Sequence, residues 1–175
     1  LQTVRGRLEL AIETGDVEHV AEALPSLERM DQLIDDVADA LESGTIVGEH
    51  QEIDIGAVAQ TTWESLDRYS DTESLEIDGA PSVYGNEEAV RRMFDNLLGN
   101  SLEHGESPVT VTVGSFDDGI YVEDNGPGIP EGNREQVFEQ GFTTKDHNGG
   151  TGMGMASVRQ IVLAHDWRIE ISESE

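Results

Sequence analysis

The sequence predicts an α+β protein in which a helical hairpin precedes a domain of mixed strands and helices. Three observations carry this. Apolar residues recur at three- and four-residue steps through the first 43 positions. Two runs of alternating character, Val109-Thr-Val-Thr-Val113 and Ile120-Tyr-Val-Glu-Asp124, flank a turn at Asp117-Asp-Gly119 and read as a β-hairpin. The remaining segments mix helical and strand-like patterns, with no sustained strand–helix–strand alternation of the parallel type and no internal repeat.

Each element has a local reason. Leu1, Val4, Leu8 and Ile12 share one helical face, and Thr14-Gly15-Asp16 breaks it. Val17, Val20, Leu24, Leu27, Met30, Ile34, Val37 and Leu41 then form a second apolar seam, with Pro25 expected to kink or delay the helix. Two such helices with narrow apolar faces need a partner, most simply a second copy completing a four-helix bundle. Ser43-Gly-Thr45 and Gly48 mark a linker, so residues 1–45 and 46–175 are expected to be separate units. Glu52 to Ile55 reads as a strand, Ala57 to Leu66 as a helix, and Ser74 to Asp78 as a strand ending at Gly79-Ala-Pro81. Asn86 is placed to cap a helix that runs to about Glu103 and stops at Gly105, with Glu87 and Glu88 favourable in its first turn. Residues 130–152, rich in glycine and polar side chains, read as a mobile loop. Met155 to Ala164 reads as a helix and Trp167 to Ile171 as a strand.

Composition narrows the function. The 175 residues hold 37 acids against 10 bases, a formal charge of −27, spread over the whole length. Such a chain repels nucleic acid phosphates, so DNA or RNA binding is not expected. Lys145 is the only lysine. Dispersed acid with almost no lysine points to a protein that stays soluble in concentrated salt, where self-repulsion is screened within about 3 Å at 1 M. That is a halophilic, haloarchaeal habit; an ordinary acidic cytosolic protein is the alternative. There is no cysteine, which removes disulfides and thiolate metal sites. No apolar run is long enough to span a membrane.

Three blocks carry the chemistry. In Asn96-Leu-Leu-Gly-Asn100 the two asparagines sit one turn apart, with Glu103 and His104 on the same stripe, while Val90, Phe94, Leu97 and Leu98 face a core. Asparagine carbonyls are suitable oxygen ligands for Mg²⁺, which keeps several waters and the substrate phosphates; two exposed surface asparagines are the bland alternative. Asp124-Asn-Gly126-Pro-Gly128-Ile129 sets a carboxylate at a strand end before a tight turn. It could accept a hydrogen bond from an exocyclic amine such as that of adenine, or simply make the turn. Gly150-Thr151-Gly152-Met153-Gly154-Met155 opens a helix and offers backbone N–H groups to an anion. It is neither a Walker A loop, since no Gly-Lys-Ser/Thr follows, nor a Rossmann turn, since no buried strand precedes it. A flexible loop before a helix is the alternative.

In this order and spacing the blocks resemble the N box and two glycine boxes of the sensor histidine kinase ATP-binding domain, in the larger group with DNA gyrase and MutL-type ATPases. The resemblance covers nearly the whole chain and implies a two-layer α/β sandwich, a mixed sheet with three helices on one face. By it, Asn96 is the first N-box asparagine near the phosphates, Asn100 binds Mg²⁺, and His104 contacts phosphate or ribose. Asp124 takes the adenine amine, with Gly126, Gly128 and Ile129 shaping the pocket. Phe138 resembles the F box of the ATP lid, and Gly150 to Met155, including Thr151, Gly152, Met153 and Gly154, the second glycine box. Lys145 lies in the lid, within reach of a phosphate or simply exposed. Asn96 stands where gyrase- and MutL-like ATPases carry a glutamate that activates water, which favours transfer to a protein side chain over hydrolysis.

The resemblance further implies ATP and Mg²⁺ as cofactors, dimerisation through residues 1–43, transfer from ATP to a histidine in the dimerisation helix, and a response regulator receiver domain as partner. The expected location is cytoplasmic, with no membrane contact within the chain. Leu1 to Leu10 resembles the segment just after the phosphoacceptor histidine, so that histidine is expected before Leu1, and a further strand after Ile171. Glu103 departs from the family, where that position is often basic. A gyrase- or MutL-like ATPase and a degenerate, non-catalytic dimerisation module are the competing readings.

Overall fold

In the computed structural model the described residues are 49–66, 72–105, 108–117, 119–143 and 152–173, with Leu10, Ile12, Thr14 and Val20, which are helical. The rest of the expected hairpin of residues 1–43 lies outside them. The strands are β1 (Gln51–Asp54), β2 (Ser74–Asp78), β3 (Ser82–Gly85), β4 (Thr110–Phe116) and β5 (Gly119–Asp124). The helices are α1 (Ile55–Ser65), α2 (Glu87–His104) and α3 (Gly154–Ala164), with single 3₁₀ turns at Glu131–Asn133 and Gln136–Phe138.

The strands form two sheets. β1 pairs antiparallel with β3, and β4 stands between β2, parallel to it, and β5, antiparallel. The expected hairpin is therefore present, with Val113 opposite Val122 and Phe116 opposite Gly119. The parallel β2–β4 pair needs a long crossover, which β3 and α2 supply. β3 escapes the sequence pattern: among the described residues its four residues pair with β1, about thirty positions upstream.

Side-chain caps set two of the helix starts. Asp54 accepts from the Ala57 N–H at 3.0 Å, which draws the start of α1 back to Ile55 from the expected Ala57. Asn86 accepts from the Ala89 N–H at 2.9 Å and starts α2 as expected. The phase that Asn86 fixes turns Val90, Phe94 and Leu98 into the core, all three fully buried. They meet Val109, Val111 and Val113 of the β4 strand and its entry, Ile55 and Ala59 of α1, and Val158, Ile161 and Val162 of α3. These three helices and the β2–β4–β5 sheet enclose one core, the expected sandwich of helices on a mixed sheet.

α3 ends in a left-handed residue. Asp166 has φ 57°, its N–H bonds Leu163 O at 3.1 Å, and the Trp167 N–H reaches back to Val162 O at 2.9 Å. That paired pattern is a Schellman closure, with aspartate in the position where glycine is commonest. Beyond it, Trp167 to Ile171 was expected as a strand. Its burial alternates, with Trp167 and Ile169 packed on the core, but it joins no ladder among the described residues. Alternation reflects which side faces the core, while a strand also requires a hydrogen-bonded neighbour.

Candidate nucleotide site

α2 carries the first block along its rim. Asn96 and Asn100 are half-buried, one turn apart, while Glu103 and His104 are exposed. The Asn96 Nδ2 donates to Arg92 O at 3.0 Å, which leaves its Oδ1 directed at the start of α3. A Cβ built on Gly154 would fall 2.8 Å from that Oδ1, so a larger residue there would push the asparagine side chain aside. The first and third sequence blocks thus meet in space.

The second block reaches α2 through a residue that the sequence did not single out. Ser101, buried on the sheet-facing side of the helix, donates its hydroxyl to Asp124 Oδ2 at 3.0 Å. The other carboxylate oxygen, Oδ1, accepts from the Gly126 N–H at 2.9 Å. A Cβ at Gly126 would sit 2.7 Å from Oδ1 and 3.3 Å from Gly105 Cα, so the turn is compressed between the carboxylate and the end of α2. Asn125 staples the same corner: its Oδ1 accepts from Thr110 N–H at 2.9 Å and its Nδ2 donates to Pro108 O at 3.0 Å. Gly128 is exposed with φ 68°, and half-buried Ile129 offers its carbonyl to Arg134 Nε at 3.1 Å. Arg134 also holds Glu173 at 2.9 Å, tying the turn to the chain beyond α3.

Of the segment expected as a mobile loop, residues 130–143 and 152 are described, and they make specific contacts. The half-buried Phe138 ring lies 5.8 Å below the Arg159 guanidinium of α3. The Gly141 N–H donates to Gly152 O at 3.0 Å, which joins the segment after Phe138 to the start of α3. Gly152 has φ 69°, and a Cβ there would meet the backbone of Gly141 and Phe142 at 2.5–2.7 Å. α3 begins two residues later with no side-chain cap at Met153, unlike α1 and α2. Met155 turns inward and packs on the core. Lys145, Gly150 and Thr151 lie outside the described residues.

The geometry therefore gives α2 two junctions, Asn96 against Gly154 and Ser101 and Gly105 against Asp124 and Gly126, with Asn100 between them along the helix. Among the described residues no group of three His, Asp or Glu side chains gathers to hold a metal. Asn100 alone would make one oxygen ligand of a Mg²⁺ whose other ligands are waters and phosphates, which suits that ion. Ser101, Asn125 and Arg134 were missed by sequence reasoning. The only signal for Asn125 was its place in an Asp-Asn-Gly turn, since such asparagines bond neighbouring backbone.

α2 thus stands between a carboxylate pinned at a strand end and a glycine-opened helix, with paired asparagines along its rim. The family profile for histidine kinase-, DNA gyrase B-, and HSP90-like ATPases matches residues 85–175. The chain belongs to that family. Among curated proteins, it is 28% identical over 168 residues to the signal transduction histidine-protein kinase/phosphatase MprB of Mycobacterium avium (strain 104), covering 90% of this chain and 32% of that one. It is 30% identical over 178 residues to the two-component sensor PhoQ of Pseudomonas aeruginosa (strain PAO1), covering 95% and 39%. Among solved structures, a mycobacterial sensor histidine kinase MprB superposes with a TM-score of 0.58 at 30% identity, covering 67% of this chain and 80% of that one. The chain spans about a third of the length of the curated MprB relatives it matches. No helix among the described residues is long and apolar enough to cross a membrane.

Proposed function

We propose that this chain is the catalytic core of a two-component sensor histidine kinase. It binds Mg-ATP, passes the γ-phosphoryl to a histidine of a dimerisation helix, and from there the phosphoryl goes to a response regulator aspartate. The observation that supports it best is the close approach of the Asn96 Oδ1 to Gly154, which brings the N-box helix against the glycine-opened helix. In this reading Asp124 accepts the adenine amine, with Gly126, Gly128 and Ile129 around the base. Asn100 holds Mg²⁺, and Asn96, His104, Lys145 and the Gly150–Met155 segment face the phosphates. Phe138 anchors the lid. Transfer then rests on positioning and on neutralisation of phosphate charge.

Asn96 supports transfer over hydrolysis, because an amide is no general base for water. A gyrase-like ATPase would instead release phosphate steadily without an acceptor. The acceptor histidine is assigned to none of His50, His104 and His165. His165 is engaged at both ring nitrogens, at 2.7 Å from Ile161 O and 3.0 Å from Asn86 N, and stacks on Trp167. His50 lies against His165 and Tyr84. His104 belongs to the nucleotide side of α2. Residues 1–45 are assigned to dimerisation and 46–175 to catalysis, in the cytoplasm, in a protein of haloarchaeal type; the dispersed charge of −27 supports the last point.

Calorimetry of Mg-ATP binding in molar KCl tests the reading. The parent chain is expected to bind and Asp124→Ala to lose at least about a hundredfold in affinity, the upper range for losing a charge-assisted hydrogen bond in a closed pocket. A folded parent that binds no ATP overturns the kinase reading in favour of a dimerisation module. The same titration at about 0.1 M KCl is expected to weaken or fail as the charges lose their screening; full binding there removes the halophilic assignment.

A further inference from the structure

Nothing in the three sequence blocks assigns a role to Ser101, yet among the described residues it joins α2 to the Asp124 carboxylate. It lies one position after Asn100 and faces the sheet, only 6% exposed. Its hydroxyl has a single proton and two acceptors in reach, Leu97 O at 3.2 Å and Asp124 Oδ2 at 3.0 Å. The bond to the helix carbonyl is the ordinary one for a helical serine. The bond to the carboxylate is charge-assisted and the stronger of the two.

We propose that Ser101 is a positioning residue of the base pocket, holding Asp124 so that its carboxylate receives an exocyclic amine and discriminates purines by the group at C6. The proposal rests on the adenine reading of Asp124 and deepens it. A carboxylate offers about four acceptor lone pairs. The Gly126 N–H takes one on Oδ1 and Ser101 one on Oδ2, from two different elements of the fold. Two donors on the two oxygens fix the plane of the group, which a single donor does not. The lone pairs that remain can only accept. A 6-amino purine supplies an N–H there, while a 6-oxo purine sets a carbonyl against a carboxylate that cannot turn away. Ser101 touches no substrate atom and acts through Asp124. Because it sits on the helix that carries Asn96 and Asn100, it also ties recognition of the base to the position of the phosphate-side residues.

The test is Ser101→Ala in the full chain, titrated in molar KCl with Mg-ATP and with the Mg complex of purine riboside triphosphate, which lacks the 6-amino group. Alanine is favourable in a helix interior, so the variant is expected to fold. ATP affinity is expected to fall about five- to tenfold, the worth of one ordinary hydrogen bond, since Ser101 acts only through Asp124. Affinity for the amine-free nucleotide is expected to stay within about twofold. Equal losses for both nucleotides would mean a purely structural serine, and an unchanged ATP affinity would mean no role; either outcome overturns the proposal. The parent and Asp124→Ala, run alongside, separate the two levels. If Asp124→Ala discriminates against ATP while Ser101→Ala matches the parent, only the Ser101 role falls. If Asp124→Ala binds ATP like the parent, the adenine reading falls and Ser101 with it.

Discussion

α2 and α3 begin in opposite ways. Asn86 closes the start of α2 with its own side chain, and the same residue's N–H donates to His165 at the end of α3. α3 starts at Gly154 behind Met153, with no side-chain cap. Both helices face the same problem, since their first turns carry N–H groups without helical partners. α2 solves it internally, and so its start serves stability. α3 has no such side chain, and under the proposed function the nucleotide phosphates would meet its first turn. Under the proposed function the difference separates a structural helix start from a binding one, and it is open to direct attack.

The largest effect is expected from Gly152→Ala. A Cβ there meets backbone at 2.5–2.7 Å, and φ 69° suits no alanine. We expect a loss of about 2 kcal/mol or more in the stability of the segment around α3, read as faster amide exchange at Gly141, together with ATP affinity reduced below detection. Unchanged exchange would mean the contact between Gly141 and Gly152 is not what positions α3.

Met153→Asp sharpens the contrast with a smaller change. A carboxylate at the start of α3 is favourable to the helix dipole by about 0.3–1 kcal/mol. The melting temperature is therefore expected to hold or rise, while Mg-ATP affinity falls roughly tenfold as carboxylate and phosphate compete for one site. An unaffected affinity would place the phosphates elsewhere.

Asn86→Ala is the mirror image and the smallest of the three. Loss of the cap is expected to cost about 1 kcal/mol of stability in denaturant titration. Mg-ATP affinity should stay within twofold at a KCl concentration where the variant is fully folded. A large loss of affinity would show that the two helix starts are not separable in function.

How much of this was legible depended on how local each cause is. Asn86 was readable as a cap because a cap is decided within four residues, and the Asp117-Asp-Gly119 turn because a hairpin is decided within about twelve. The start of α1 was misjudged by two positions. Asp54 fits both the strand alternation of Glu52-Ile-Asp-Ile55 and a capping role, and only its bond to Ala57 decides between them. β3 had no local signature, since its pairing partner is remote. Trp167 to Ile171 showed the alternation of a strand without the ladder. Ser101 was invisible for a different reason. A serine inside a helix is satisfied by its own helix, and its second bond depends on β5 arriving beside it.

By itself the sequence determined the helix and strand periods, the capping of α2, the hairpin and the three blocks that mark a nucleotide-binding family. These are properties of neighbours along the chain, where side-chain spacing and turn chemistry act directly. Tertiary structure alone decided that Asn96 faces Gly154, that Asp124 is held from both sides by Gly126 and Ser101, and that the end of α3 is locked to the start of α2 through His165. Each of those contacts joins residues from elements brought together by burial of the common core or by a tight turn. Burial is non-directional and fixes which faces meet, while the hydrogen bonds it permits are specific and form only after the faces have met.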